Sequence, residues 1–432
     1  MDRNIWLKVV PDPISGLIDI RSVLPIVETR EFQSLRDKRQ LGMTYLVFPA
    51  ATHSRFIHSL GAYKATKSLA DRWRLQGLIN EEERRGLPIY ALLHDIGHGA
   101  FSHTTEDFCD LDNNQMSLKI VRERFKPYIA DSGADPMLVE TLVSHEHLLS
   151  KAVHDKNLGM EKLDYLERDG YYTLSSRPPG IEYLRNYVYY DGGEIAIDGK
   201  VAEYALEALD FYMKMYKEVY LRKSLVIAQR MFHKMVYRLI LAGELFARNL
   251  PHMTDSELLA LFYGSSEPLV QKLYARLRER GLFKEAISIR PEAFIGETRI
   301  AYKSIRVFGA TPEEMHHLIN SPFLQRRNHA ELEETEAKIA KISGIPADSL
   351  LVVPVFYPER FRAKDVLIYE MGKKLCSLKE RRPAHFQSME ETARSYTALR
   401  ICTQEEYREK LSSPAVSSAV IDLVLTPSGL TK

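Results

Sequence analysis

The run Ala91-Leu-Leu-His94-Asp95-Ile-Gly97-His98-Gly99-Ala-Phe-Ser-His103 limits this chain more than any other segment. Apolar residues from Leu87 onward read as a buried helix that must deliver an imidazole and a carboxylate side by side at its exit. Gly97 and Gly99 mark a sharp turn and let backbone and metal approach closely. Imidazole nitrogen beside carboxylate oxygen suits Mn, Fe, Co, Ni or Zn, and carboxylate also suits Mg. A His-Asp dipeptide occurs by chance in many chains, so its company carries the weight. Upstream lies Ser54-Arg55-Phe56-Ile57-His58-Ser59-Leu60-Gly61, and downstream lies Glu161-Lys162-Leu163-Asp164-Tyr165-Leu166-Glu167-Arg168-Asp169.

Local patterns around these blocks are mostly helical. Residues 1 to about 50 alternate short extended signals with turns such as Pro11-Asp12-Pro13. Helical spacing starts at Arg55, with His58 near the start of that helix. Further helices are expected at Asn114 to Phe125, Pro136 to Ser144 and Met160 to Tyr172. A hairpin is expected at 186–198 around Asp191-Gly192-Gly193. Residues 200–287 read as strongly helical. Beyond Pro291, strand-like runs at Ser349 to Tyr357 and Asp365 to Tyr369 mix with a charged helix at His329 to Ile342.

Taken in order, R-x-x-H-S-L-G, then L-x-H-D-I-G-H-G-x-F-S-H, then K-L-D-Y-x-x-R-D, the chain resembles the HD-domain phosphohydrolase superfamily. More narrowly it is similar to the deoxynucleoside triphosphate triphosphohydrolase branch. Lys8-Val-Val-Pro-Asp12-Pro13-Ile14-Ser-Gly16, Phe32 to Arg36 and Gln40 to Pro49 extend the likeness towards the start. The resemblance implies a mainly α fold, an HD-domain helical core with a small α+β C-terminal region. Its expected parts are an N-terminal segment of the core at 1–50 with regulatory or interface contacts, a helical HD domain at 51–290, and the α+β region at 291–432.

The same resemblance implies a divalent metal held by His58, His94, Asp95 and a carboxylate from the 161–169 helix. The usual Asp of that helix is replaced by Glu161; Asp164, one turn along the same face, is the alternative. A second departure stands where the branch commonly carries His-Glu. Here the position is Asn113-Asn114, and an asparagine cannot exchange a proton near neutral pH. His98 and His103 remain as groups to protonate the leaving oxygen or orient water. Arg55 and Lys162 are implied to hold phosphates, Gln40 and Leu41 to touch sugar and base, and Tyr165 and Asp169 to meet the deoxyribose. Lys8 and Arg36 match positions where oligomeric members bind an activating nucleotide between subunits.

Composition excludes other classes. Lys plus Arg is 59 and Asp plus Glu is 58, a net charge of +1, so a whole-chain attraction to nucleic acid or anionic membrane is not supported. Cys109, Cys376 and Cys402 form no C-x-x-C pair, which fits a reducing compartment. No apolar run approaches the ~20 residues of a membrane span, and no secretory signal is read, so a cytoplasmic protein is expected. The leading expectation is metal-dependent hydrolysis of a dNTP to deoxynucleoside and triphosphate by a homo-oligomer. The rivals are another phosphohydrolase on a different small phosphate ester, and a catalytically weak nucleotide binder.

Overall fold

The computed structural model describes residues 8–155, 157–297, 305–356, 364–370 and 373–426. They form two compact units interleaved along the chain. The first takes 1–215, 247–259 and 363–386; the second takes 216–246, 260–362 and 387–432. The residues at the very start, Met1 to Trp6, and Tyr357 at the end of an expected strand lie outside the described residues.

The first unit opens with a hairpin of β1 (Val9–Asp12) and β2 (Gly16–Asp19). Asp12 Oδ2 accepts from Ser15 N at 2.6 Å, and Gly16 has a φ of 69°, a left-handed geometry that glycine adopts without a Cβ penalty. Helix α1 (Arg55–Leu75) follows, burying Phe56, Leu60, Tyr63, Leu69 and Trp73. Helix α2 spans Glu81–Leu93 and buries every residue from Gly86 to Leu93. It starts well before Leu87, where the apolar run begins, because Asn80 and Glu83 form a reciprocal capping box. Each large apolar side chain fully buried in this packing contributes roughly 1.5–3 kcal/mol.

Helix α3 (Asn113–Ile120) has its own capping box, from Asp112 and Gln115. The expected helix to Phe125 is not uniform: a turn of π-helix, Val121–Phe125, follows α3. Helix α4 (Met160–Leu174) presents Asp164 and Arg168 to α1 at Gly61, where a Cβ would collide with both side chains. The expected hairpin is present as Val188–Asp191 and Glu194–Asp198. It joins Leu367–Glu370 in parallel, and Lys373–Ser377 completes a four-stranded sheet.

The second unit is built on strands Arg306–Ala310, Lys284–Pro291, Ala398–Thr403 and Leu350–Val355, in that spatial order. Helical character does not run to residue 287 as expected, because β-branched Ile287 and Ile289 flank Ser288 with period two and favour a strand. Ile287, Ile289, Leu399 and Ile401 face a core shared with helices His329–Ser343 and Pro414–Leu425. The fold is mainly α with small sheets, and the later part of the chain mixes helices and strands. No helix among the described residues is long and apolar enough to cross a membrane, and all three cysteines are free.

One buried cation ties the first unit together. Arg168 donates to Asp12 at 2.8 and 3.1 Å and to Asp164 twice at 3.0 Å, with all three side chains essentially inaccessible. Removing one partner of such a group leaves uncompensated buried charge. Arg168→Leu is therefore expected to lower unfolding free energy by about 3–5 kcal/mol, read by urea denaturation. A loss below about 1 kcal/mol would show that the two carboxylates find other partners.

Candidate metal centre

Helix geometry brings the three sequence blocks to one place. His58 sits one turn into α1, His94 caps the end of α2, and Asp95 follows it. His58 Nδ1 lies 2.8 Å from Asp164 Oδ2, and His94 Nδ1 lies 2.7 Å from the Ala91 carbonyl. A carbonyl only accepts, so His94 Nδ1 carries the proton. Asp164 is held ionised below the usual carboxylate range, since His58 and Arg168 outweigh the cost of burial. His58 Nδ1 therefore donates as well.

Both Nε2 atoms are then lone-pair acceptors, yet they face each other at 3.2 Å. Two lone pairs repel at that distance, so the arrangement calls for a positive charge between them. Asp95 lines the same space, with Oδ1 3.3 Å from His94 Nε2 and Oδ2 3.8 Å from His58 Nε2. A proton on His94 Nε2 can serve as that charge, as can a metal cation: burial works against charging His94, but the Asp95 and Glu161 carboxylates prevail and lift it to about 9. One donor atom from each of His58, His94 and Asp95 lies within 4.8 Å of the others, and all three residues are buried. The donor set and its unpaired electron pairs fit a divalent cation.

Glu161 and Asp164 have separate places. Asp164 is turned to His58 Nδ1 and Arg168, where it orients a ligand imidazole. Glu161 Oε2 lies 3.3 Å from His94 Nε2, while its other oxygen meets His154 Nδ1 at 2.7 Å. His154, outside the motif blocks, thus braces the candidate fourth carboxylate. Arg55 is turned to Asp95 and also meets Ser102 Oγ at 2.5 Å, so its guanidinium is engaged with a ligand carboxylate.

The remaining histidines differ in environment. His98 Nε2 lies 3.2 Å from Asp95 Oδ1, and its Nδ1 is buried without a hydrogen bond among the described residues. Burial and the neighbouring Arg55 push His98 down to about 3, so it stays neutral. His103 is well exposed and sets Nδ1 3.0 Å from Glu106 Oε2. His103 holds Glu106 at about 2 in spite of burial, so the carboxylate is ionised. Asn113 lies in the site, its side-chain nitrogen 3.3 Å from the same His103 atom. Glu106 is a residue that motif reading missed; its signal is the i, i+3 spacing from His103.

The outer positions have contacts of their own. Gln40 Oε1 is buried with no hydrogen bond among the described residues, and Leu41 follows it before the turn Gly42–Leu46. Tyr165 lies with its ring centroid 6.4 Å from that of His58. Asp169 Oδ1 meets His53 Nε2 at 2.8 Å, and the His53 ring stacks on Tyr172. Lys162 is buried against the Tyr212 ring at 4.1 Å, and burial pushes it down to about 7. Lys38 Nζ donates to the His98 carbonyl at 2.6 Å, fixing the chain behind the metal ligands.

Gly97 allows α3 to reach this turn. Its N–H donates to Ser117 Oγ, which donates in turn to the His94 carbonyl, both at 2.9 Å. A Cβ on Gly97 would collide with the backbone of Asn113 and Ser117, which cannot move aside as a side-chain tip can. Gly97→Ala should cost about 1–3 kcal/mol of stability, read by urea denaturation, and displace Asn113. His94→Ala should lower bound metal per chain to background in elemental analysis. Asp164→Asn should weaken metal affinity about 10–100-fold, because His58 loses its orienting carboxylate. Equal metal content in wild type and His94→Ala would reject the centre.

A family model for the HD domain matches residues 55–169, and one for the HD associated region matches 186–309. An uncharacterized protein of Methanocaldococcus jannaschii is 29% identical over 288 residues, covering 65% of this chain and 60% of that protein. A Dictyostelium discoideum protein named deoxynucleoside triphosphate triphosphohydrolase SAMHD1 homolog is 28% identical over 251 residues, covering 53% of this chain and 46% of that protein. The chain thus spans about half the length of these relatives. A solved structure titled as a phosphohydrolase of Bacteroides thetaiotaomicron superposes with a TM-score of 0.69 at 21% identity, covering 92% of this chain and all of that one. That likeness speaks to the fold. The chain carries an HD domain followed by an HD associated region.

Proposed function

We propose that this protein is a metal-dependent phosphohydrolase acting on nucleotides, with dNTP hydrolysis to deoxynucleoside and inorganic triphosphate as its reaction. The observation that carries this reading is the convergence of the His58 and His94 lone pairs on Asp95, with the His103–Glu106 pair beside them. The name of the Dictyostelium relative supports the substrate class. A divalent cation held by His58, His94, Asp95 and Glu161 would lower the pKa of a bound water and withdraw charge from a phosphoryl oxygen.

The chain's own groups supply the rest. His98, neutral and with a free acceptor nitrogen, is placed to orient the attacking water. Attack on the α-phosphorus breaks its bond to the 5′ oxygen, which must gain a proton. His103 gives that proton from Nε2, while Glu106 holds Nδ1–H and stabilises the imidazolium. Asn113 lies beside His103 and cannot itself act as acid or base. By the resemblance, Lys162 would hold the phosphate chain, and Gln40, Leu41, Tyr165 and Asp169 would meet base and sugar. Arg55 orients Asp95, and by the resemblance it would also hold a phosphate. By the same resemblance, Lys8 and Arg36 would serve an activating nucleotide in a cytoplasmic homo-oligomer. The Asn113 position supports a second reading, a catalytically weak nucleotide binder.

The test is incubation of metal-replete protein with each dNTP, alone and mixed, followed by phosphorus NMR of the products. Triphosphate release should vanish in His94→Ala/Asp95→Ala and fall about 10²–10⁴-fold in His103→Ala. Monophosphate or pyrophosphate as product would assign a different phosphohydrolase chemistry. No turnover with Mn, Mg or Co, but retained nucleotide binding, would favour the binder.

A further inference from the structure

Residues 247–259 lie within the HD associated region in sequence, yet they belong to the first unit. They pack against the turn that follows His94-Asp95: a Cβ on Gly99 would stand 2.4 Å from the Leu250 carbonyl oxygen. Close by is Asp255, the first residue of the helix Asp255–Gly264, with its side chain fully buried. Asp255 is not needed to start that helix. Thr254 and Glu257 already form a reciprocal cap, with Thr254 N donating to Glu257 Oε2 at 2.7 Å and Glu257 N donating to Thr254 Oγ1 at 3.4 Å. Burial raises the Asp255 carboxyl above its usual range, a cost that calls for another role.

Its two oxygens reach two separate stretches of backbone. Oδ1 accepts from Phe101 N at 2.6 Å, while Oδ2 accepts from Arg39 N at 3.0 Å and from Arg39 Nη1 at 3.3 Å. The first stretch needs holding, since Phe101 and Ser102 each have a φ of 54°, left-handed backbone that non-glycine residues keep only when their surroundings fix it. The two stretches also touch each other. Ser102 Oγ donates to the Arg39 carbonyl at 3.0 Å, and a Cβ on Gly42 would stand 3.2 Å from the Phe101 carbonyl oxygen. Arg39 leads directly into Gln40-Leu41, and Phe101-Ser102 leads directly into His103.

We propose that Asp255 is a positioning residue: its one carboxylate fixes both the backbone that carries Gln40 and Leu41 and the backbone that carries His103, and so sets the nucleoside contacts and the proton donor at a fixed separation. This rests on the nucleotide phosphohydrolase reading, which assigns those residues their tasks. Each oxygen serves a different N–H donor, so asparagine cannot replace the carboxylate. In either orientation its amide nitrogen would face a second donor across one of the two bonds. A misplacement of about 1 Å at reacting groups costs about 10²-fold in rate.

The test compares the full metal-replete chain with its Asp255→Asn, His103→Ala and doubly substituted forms. Asp255→Asn should lower kcat for triphosphate release from a dNTP about 10²-fold and raise the Kd of a non-hydrolysable dNTP analogue about 10-fold, with bound metal per chain unchanged. A loss that acts through His103 cannot be taken twice, so in the His103→Ala background the same substitution should change kcat less than about threefold. General loosening would instead multiply the two losses. Asp37→Ala, which removes a 2.9 Å contact to the exposed Ser256 on the same segment, should leave kcat and Kd unchanged. Where Asp255→Asn fails to fold, Gly42→Ala, which presses the two stretches apart at Phe101, should show the same pattern. In a wild type that binds the analogue without turnover, the Kd shift decides. Equal kcat and Kd in wild type and Asp255→Asn, losses that multiply with His103→Ala, or loss of metal in Asp255→Asn overturns the positioning role and leaves the phosphohydrolase reading standing. A wild type that neither turns over dNTP nor binds the analogue overturns both.

Discussion

The hydrogen bonds from His58 Nδ1 to Asp164 and from His94 Nδ1 to the Ala91 carbonyl decide what the centre of the first unit can hold. Each bond fixes a tautomer, and the two tautomers point their remaining lone pairs at the same space 3.2 Å apart. That space is lined by Asp95 and edged by Glu161, so it attracts a cation and repels anything else. The protein supports the arrangement from behind. Arg168 neutralises Asp164 while anchoring Asp12 of the opening hairpin, and Gly61 leaves room for the pair against α1. The hairpin, α1, α4 and the candidate metal ligands are therefore one electrostatic assembly, and weakening the Arg168 pairings would disturb the His58 imidazole.

Two departures from the HD pattern acquire a physical setting in this framework. Glu161 is longer than the usual aspartate, and His154 holds its far oxygen so that the near one faces His94. Asn113 cannot move protons, but it lies against His103, whose Nδ1 is held by Glu106. In the proposed reaction, proton transfer would fall to this histidine–carboxylate pair, three residues apart, rather than to the helix α3 residue. Both substitutions leave the site populated by groups that can perform hydrolysis, which is why the enzymatic reading is preferred to the binder.

Much of this centre is legible without coordinates. His58, His94 and Asp95 stand out because metal chemistry restricts residue type, and helical spacing restricts position. The choice between Glu161 and Asp164 is not legible, since both lie on one face of one helix. Their roles separate only through the partner that each meets across the interior. Glu106 is hidden for a similar reason: its i, i+3 spacing from His103 is common among solvated pairs, and Asp107 stands next to it as an equal candidate. Among the elements, the start of the strand Lys284–Pro291 is hidden under a helical reading because its period-two pattern is short and follows a long amphipathic stretch.

By itself the sequence determined the donor atoms available, the helices that carry them, the turn glycines and the near-neutral charge. Tertiary structure alone decided which imidazole nitrogen is free, which carboxylate faces the cation, and how two compact units interleave along one chain. The reason is sequence distance. His58 meets a carboxylate 106 residues away, and Arg168 meets one 156 residues away. Local propensity acts within a turn or two, whereas these pairings exist only once apolar burial has closed the intervening chain.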